Sequence, residues 1–316
     1  MDTIDVAVVG AGFGGLAAAL TLAEQGAEVA LFERLTYPGG CASTFTRRGW
    51  QFESGATLFS GLRDDQLFGG WIDRHEMGVE VEWLDPVVEM RTDRFDLEIS
   101  ADRTTFVDRI AALPGVDPKG ARALFDRQKK VADALWELFD DPDLLPPFGV
   151  GEFFEHVRRS PRYLTLLGLV GSPLERLLER HGLAEGPVRD YLDAVCQITV
   201  QASAAEAEAP FALAATDYFF RGTGHIHGGI GRLAWGMVDA IERLGGRVRF
   251  ADEVRGLDRD ADGWIVRSRR GDLRADFVVA NLLPGVVADL VGESGETAGL
   301  DRHDERVREG WGAAML

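Results

Sequence analysis

Ile4-Asp5-Val6-Ala7-Val8-Val9-Gly10-Ala11-Gly12-Phe13-Gly14-Gly15 stands near the start of the chain and decides its fold class. Ile4 to Val9 is rich in branched apolar residues, which suits a parallel strand buried on both faces. The run ends in glycine. Leu16 to Gln25 then reads as a small-residue helix, with Ala17, Ala18, Ala19 and Ala23, and Gly26 is the usual kind of residue to stop it. Glu28 to Phe32 is a second strand. Strand, glycine turn, helix and strand within about 30 residues make one βαβ unit.

The glycines fill the pattern Gly-x-Gly-x-x-Gly, and each has a physical task. Gly10 permits the tight turn, Gly12 lets backbone approach a pyrophosphate, and Gly15 lets the helix pack closely on the strand. The helix N-terminus, around Phe13 and Gly14, offers unpaired N–H groups and a partial positive charge to phosphates. Glu33 ends the second strand 18 residues after Gly15, with Arg34 beside it. A carboxylate there accepts hydrogen bonds from ribose hydroxyls and repels a 2′-phosphate. The pair of features predicts the adenosine diphosphate of FAD or NAD rather than NADP.

The segment after Glu33 separates those two cofactors. An NAD-dependent dehydrogenase continues with another helix and strand. Here the chain runs into Gly39-Gly40-Cys41-Ala42-Ser43-Thr44 and then Phe52-Glu53-Ser54-Gly55-Ala56-Thr57. Glycine at this density lets backbone approach a large flat ligand. The composition of residues 36 to 62 reads as an ordered loop.

At these residues the sequence resembles the FAD-dependent carotenoid desaturases and isomerases of the phytoene-desaturase type, within the wider flavin amine-oxidase superfamily. The resemblance covers nearly the whole chain and is strongest at residues 4 to 62 and 222 to 284. It implies FAD contacts from Gly40, Cys41 and Ala42, and from Gly55, Ala56 and Thr57 near the flavin end. Many relatives carry Arg where this chain has Cys41, so one charge contact is missing. A second block is Gly228-Gly229-Ile230-Gly231-Arg232-Leu233, followed by Gly245-Gly246-Arg247-Val248. In the resembled family a Gly-Gly turn starts this helix, and the position of Val254 pairs its backbone with the adenine. Ala275-Asp276-Phe277-Val278-Val279-Ala280-Asn281 resembles the family's returning strand. Relatives continue into a further Gly-rich motif with an acidic residue, and no such motif precedes Leu316. The resemblance therefore implies either a truncated, non-catalytic product or a second polypeptide that supplies that segment.

The resulting expectation is an α/β protein: a Rossmann-like FAD/NAD(P)-binding domain with an inserted α+β substrate domain. The cofactor domain takes residues 1–70 and 222–288, and the substrate domain 71–221 and 289–316. Residues 79 to 100 alternate as two or three antiparallel strands, and 102 to 140 and 151 to 197 look mostly helical. Gly231 to Leu244 reads as a helix. Arg247 to Phe250, Trp264 to Ser268 and Phe277 to Ala280 read as strands. The expected chemistry is transfer of a hydride from a hydrophobic, polyene-like substrate to FAD. Isomerisation, or amine or protoporphyrinogen oxidation, would use the same motifs. No catalytic side chain is assigned, because the cofactor does the hard step.

The 316 residues carry 34 Lys and Arg against 52 Asp and Glu, a net charge of −18. That argues against a nucleic-acid partner, which needs clustered cations. The two cysteines, Cys41 and Cys196, are far apart and suit a reducing cytoplasm. Cys41 reads as a small buried residue before it reads as a reactive thiol near flavin. His225 and His227 would share one face of a strand, but nothing nearby completes a metal site, so no metal is expected. Phe153 to Leu183 combines leucines with an excess of arginine over acids. It reads first as a helical lid over substrate and second as a peripheral membrane contact.

Overall fold

The computed structural model describes residues 2–139, 158 and 163–292. The chain divides into two compact units, one running up to Glu82 and resuming at Gly224, the other spanning Trp83–Thr223.

In the first unit, β1 (Thr3–Val9), α1 (Phe13–Glu24) and β2 (Val29–Phe32) form the expected βαβ unit. A short 3-10 turn at Gly40–Ala42 leads to the hairpin β3 (Thr44–Arg47) and β4 (Trp50–Glu53), then α2 (Leu67–Arg74) and β5 (Val81–Glu82). The hairpin corrects the reading of 36 to 62 as loop. Arg48 and Gly49 both have positive φ, 54° and 82°, which is what a two-residue hairpin turn demands. A turn of Arg-Gly lacks the usual Asn-Gly signature and is easily passed over.

In the second unit, β6 (Val88–Arg91) and β7 (Asp96–Ile99) pair antiparallel. They are followed by α3 (Arg103–Ala111), α4 (Pro118–Phe139), α5 (Leu174–Arg180), α6 (Pro187–Thr199) and α7 (Ala209–Ala215). Phe106, Phe125 and Tyr191 are buried together, with Phe106 and Phe125 edge to face at 5.2 Å. One charge is wholly buried here: Asp217 pairs with Arg103 and, at 2.6 Å, with Arg221, which also reaches Asp133. Burial raises the Asp217 carboxyl pKa, and the two guanidiniums only partly oppose it.

The chain then returns to the first unit through β8 (His225–Ile226), α8 (Gly231–Arg243), β9 (Arg247–Arg249), β10 (Val254–Asp260), β11 (Gly263–Ser268), β12 (Leu273–Ala280) and α9 (Pro284–Val291). The main sheet has the order β10-β11-β12-β1-β2-β9. β12, β1, β2 and β9 run parallel, and β10, β11 and β12 form an antiparallel meander. β1 is apolar on both faces because both are covered. Val6 and Val8 pack with α1 and α8, while Ile4, Ala7 and Val9 pack with the meander and α9. In β10 the residues Arg255, Asp258, Arg259 and Asp260 hide the apolar pattern, so the sequence alone does not show this strand.

The unit boundaries differ from the expected divisions at 70/71 and 221/222. Trp71 is buried in the α1–α8 core, and β5 pairs with β8, so residues 71 to 82 pack with the cofactor domain. Leu290 and Val291 likewise pack with the sheet rather than with the insert. Residues 293–316, the rest of the segment assigned to the substrate domain, lie outside the described residues.

Glu24, at the end of α1, holds α2 in place. It accepts from Trp71 Nε1 at 3.3 Å and Arg74 at 2.6 Å, and lies 2.8 Å from His75 Nε2. Burial raises its pKa, but the hydrogen bonds from Arg74, His75 and Trp71 outweigh this and hold it below the ordinary value. A depressed carboxyl pKa contributes stability above the unfolded pKa and loses it as pH falls through the folded one. Glu24→Gln should therefore be less stable than the parent at neutral pH, with the two converging in acid. Urea denaturation across pH 3 to 7, a range of about four units around carboxyl titration, measures this.

Candidate cofactor site

The site is assembled at the carboxyl end of β1. Gly10 adopts φ +98°, which leads the chain out of the strand, and its N–H donates to Phe32 O at 2.8 Å. At Gly15 a Cβ would lie 1.9 Å from Gly10 O, so only glycine lets α1 start this close to β1. No side chain caps α1, and no acidic residue occupies its first turn. The first N–H groups and the helix dipole are thus presented to an anion. The Phe13 ring points elsewhere. It packs against Phe59 at 4.8 Å and Phe68 at 5.9 Å, so this residue offers the site its backbone.

β2 delivers Glu33, which is only 8% exposed. Its Oε2 accepts from Ala11 N and its Oε1 from Leu35 N, both at 2.8 Å. The carboxylate is therefore clamped to the glycine turn before any ligand arrives. A carboxylate has about four lone-pair positions, which leaves acceptor capacity for ribose hydroxyls. Arg34 is exposed. Glu33 O also accepts from Asp252 N at 2.9 Å, which ties the lead-in to Val254 to the same edge. Val254 itself is buried beside the cluster that includes Val9 and Phe32.

The Gly-rich loop docks on the turn. Gly39 N donates to Ala11 O at 2.7 Å, and a Cβ on Gly40 would come within 3.2 Å of Gly12 Cα. Cys41 is exposed, contrary to its reading as a small buried residue. Its carbonyl accepts from Ser54 Oγ at 3.0 Å and would lie 2.7 Å from a Cβ on Gly55. Residues 40 to 42 and 55 to 57 are thereby neighbours. Thr57 lines a cavity of about 850 Å³ with the β3–β4 hairpin, His225, Gly228 and Gly229. Phe45 and Phe52 stack at 5.6 Å in its wall. His225 Nδ1 lies 3.5 Å from Glu82 Oε2. His227 is not among the lining residues, and no group of three metal-ligating side chains occurs among the described residues.

Two functional contacts escaped the sequence. Thr44 Oγ1 accepts from Gly231 N, and Glu53 Oε1 accepts from Ile230 N, both at 2.8 Å. The hairpin thus caps α8, a helix with no local cap. The only local signal was that absence: Ser, Thr, Asp or Asn is missing just before Gly231. Asn281, at the end of β12, lies against the glycine turn. A polar residue closing a strand beside the β1 turn is the signal that could have singled it out.

A glycine turn, an uncapped helix start and a clamped carboxylate at one sheet edge define a dinucleotide-binding protein. Residues 13–301 match the family described as flavin containing amine oxidoreductase. The chain belongs to that family, and its cofactor is FAD. Human all-trans-retinol 13,14-reductase is 28% identical over 182 residues, covering 58% of this chain and 27% of that protein. The phytoene desaturase (neurosporene-forming) of Cereibacter sphaeroides is 28% identical over 289 residues, covering 87% of this chain and 52% of that protein. This chain thus spans between about a quarter and about half of the length of those relatives. Among solved structures, an oxidoreductase from Methanosarcina mazei shares the fold, with a TM-score of 0.64 and 18% identity. That match covers 96% of this chain and 65% of the other.

Thr44→Val and Glu53→Met should each destabilise the protein by about 1 kcal/mol through loss of a helix-capping acceptor. Chemical denaturation of the variants checks this, and unchanged midpoints would show that the hairpin does not hold α8.

Proposed function

We propose that this chain forms the cofactor site and substrate cavity of an FAD-dependent oxidoreductase acting on a hydrophobic, polyene-like substrate. The observation that carries the proposal is the joined pair of glycine turn and Glu33, continuous through Gly40 and Gly55 with the aromatic-walled cavity. The two relatives quoted above are named for retinol and phytoene, both largely apolar and unsaturated molecules, and this supports the substrate class. When bound, FAD would supply the acceptor for the hydride, and the proton lost from the adjacent carbon would pass to solvent. The residues of the chain do the rest. The N–H groups of α1 receive the diphosphate, Glu33 accepts from the ribose, and the loops at 40 to 42 and 55 to 57 set the depth at which the flavin lies. Phe45 and Phe52 give the cavity an apolar wall.

Peripheral membrane contact suits such a substrate. Within the expected segment 153 to 183, Leu174, Leu177 and Leu178 are core residues, as a lid would require. Leu164, Leu167 and Val170 are exposed, which supports contact with a lipid surface. Residues 153–157 and 159–162 lie outside the described residues. No described helix is long and apolar enough to cross a membrane.

The test is anaerobic reconstitution with FAD followed by addition of phytoene in detergent. Bleaching of the flavin absorbance by phytoene, and not by putrescine, is the expected result. Bleaching by the amine alone would replace the polyene with an amine as substrate. Glu33→Ala should lower FAD affinity by roughly 10-fold, the worth of one lost charge-assisted hydrogen bond. Titration of flavin fluorescence measures it.

A further inference from the structure

Asn281 follows β12 directly, and its N–H donates to Val9 O at 2.9 Å, which extends the β1–β12 pairing by one step. Its side chain then crosses the glycine turn. A Cβ on Gly12 would lie 2.9 Å from Asn281 Nδ2, and a Cβ on Gly14 would lie 2.8 Å from Asn281 Oδ1. A Cβ on Gly15 would lie 3.3 Å from Asn281 Cβ. Gly12 and Gly14 both have ordinary negative backbone angles, since neither is among the glycines with positive φ. Conformation alone does not require glycine at either position. Gly14 also falls on a position that the Gly-x-Gly-x-x-Gly pattern leaves open. It is the space taken by the Asn281 carboxamide that favours glycine there.

That carboxamide is exposed and has no hydrogen-bond partner among the described residues. It stands beside the uncapped N-terminus of α1, where the diphosphate is expected. We propose that Asn281 is a further FAD-binding residue: its Nδ2 donates to the diphosphate, and Gly12 and Gly14 are kept small to hold it over the turn. A neutral donor is well suited to this place. It adds a hydrogen bond to a charged acceptor without a second charge that must itself leave water.

The inference rests on the FAD reading above, and the experiment separates the two. FAD binding is followed by quenching of flavin fluorescence, and folding of each apoprotein by its Tm. Asn281→Ala should raise the Kd for FAD by roughly 10- to 100-fold, the worth of a hydrogen bond to a charged acceptor. Asn281→Asp should raise it further, and added salt should recover part of that extra loss, because the new carboxylate repels the diphosphate. Gly14→Ala should weaken FAD like Asn281→Ala by pushing the carboxamide aside, and the double variant should be no worse than either single one. In the Asn281→Ala background, Gly14→Ala should raise the apoprotein Tm, because alanine favours a helix over glycine. Wild-type affinity in Asn281→Ala would overturn the proposal and leave the FAD reading intact. So would equal losses in the Ala and Asp variants that follow their apoprotein Tm. A parent protein that takes up no FAD would overturn both.

Discussion

A methyl group at Gly15 would sit 1.9 Å from the carbonyl oxygen of Gly10, well inside any van der Waals contact. Because glycine removes that group, α1 can begin where β1 ends. Everything else in the cofactor site is measured from that junction. β1 lies between β12 and β2, so the strand on one side delivers Glu33 and the strand on the other delivers Asn281. The loop at Gly39 and Gly40 lies on the same turn, and through Cys41 and Gly55 it sets where the aromatic cavity begins. The helix start, its free donors and the sheet edge follow from one backbone contact between two glycines.

The second unit is built on a different constraint. Asp217 is fully buried between Arg103 and Arg221. Removing such charges from water costs several kcal/mol per ion, which offsets much of their attraction. The arrangement is therefore weak evidence for net stability. It fixes the N-terminus of α3, the middle of α4 and the segment before Thr223 in one register, because Arg221 also reaches Asp133. Gln128 and Thr216 repeat the device with a neutral hydrogen bond at 2.8 Å. Nearby, burial pushes the Cys196 thiol up to about 12, which keeps it a protonated packing residue.

Much of the first unit was legible in the sequence because its signals are local. The run Ile4 to Val9, the glycine turn and Glu33 lie within one βαβ unit, and each residue type has one physical reason to be there. Legibility failed where the partner is distant or the turn unusual. The β3–β4 hairpin turns on Arg48 and Gly49, and its stacked Phe45 and Phe52 sit in a stretch dominated by glycine. The capping of α8 by Thr44 and Glu53 joins residues up to 187 positions apart. β10 carries charged residues that form ion pairs, such as Asp258 with Arg267 of the neighbouring β11, so polarity masked a strand. Trp71 falls just past the expected boundary at 70/71, because nothing near it in sequence shows that Glu24 receives its indole N–H.

The pairing of Thr3 with Arg274 also shapes how such a chain comes into being. β1 leaves a ribosome well before β12, the strand that covers one of its edges. At about 5–20 residues per second, roughly 15 to 55 seconds separate the two. Throughout that interval an apolar strand has an open row of backbone donors and acceptors, the kind of edge that recruits other chains. Early burial of Val6 and Val8 under α1 protects one face, but not the edge. A fold whose central strand waits this long for its neighbour has a stake in escorted synthesis, and the large insert between the two halves lengthens the wait.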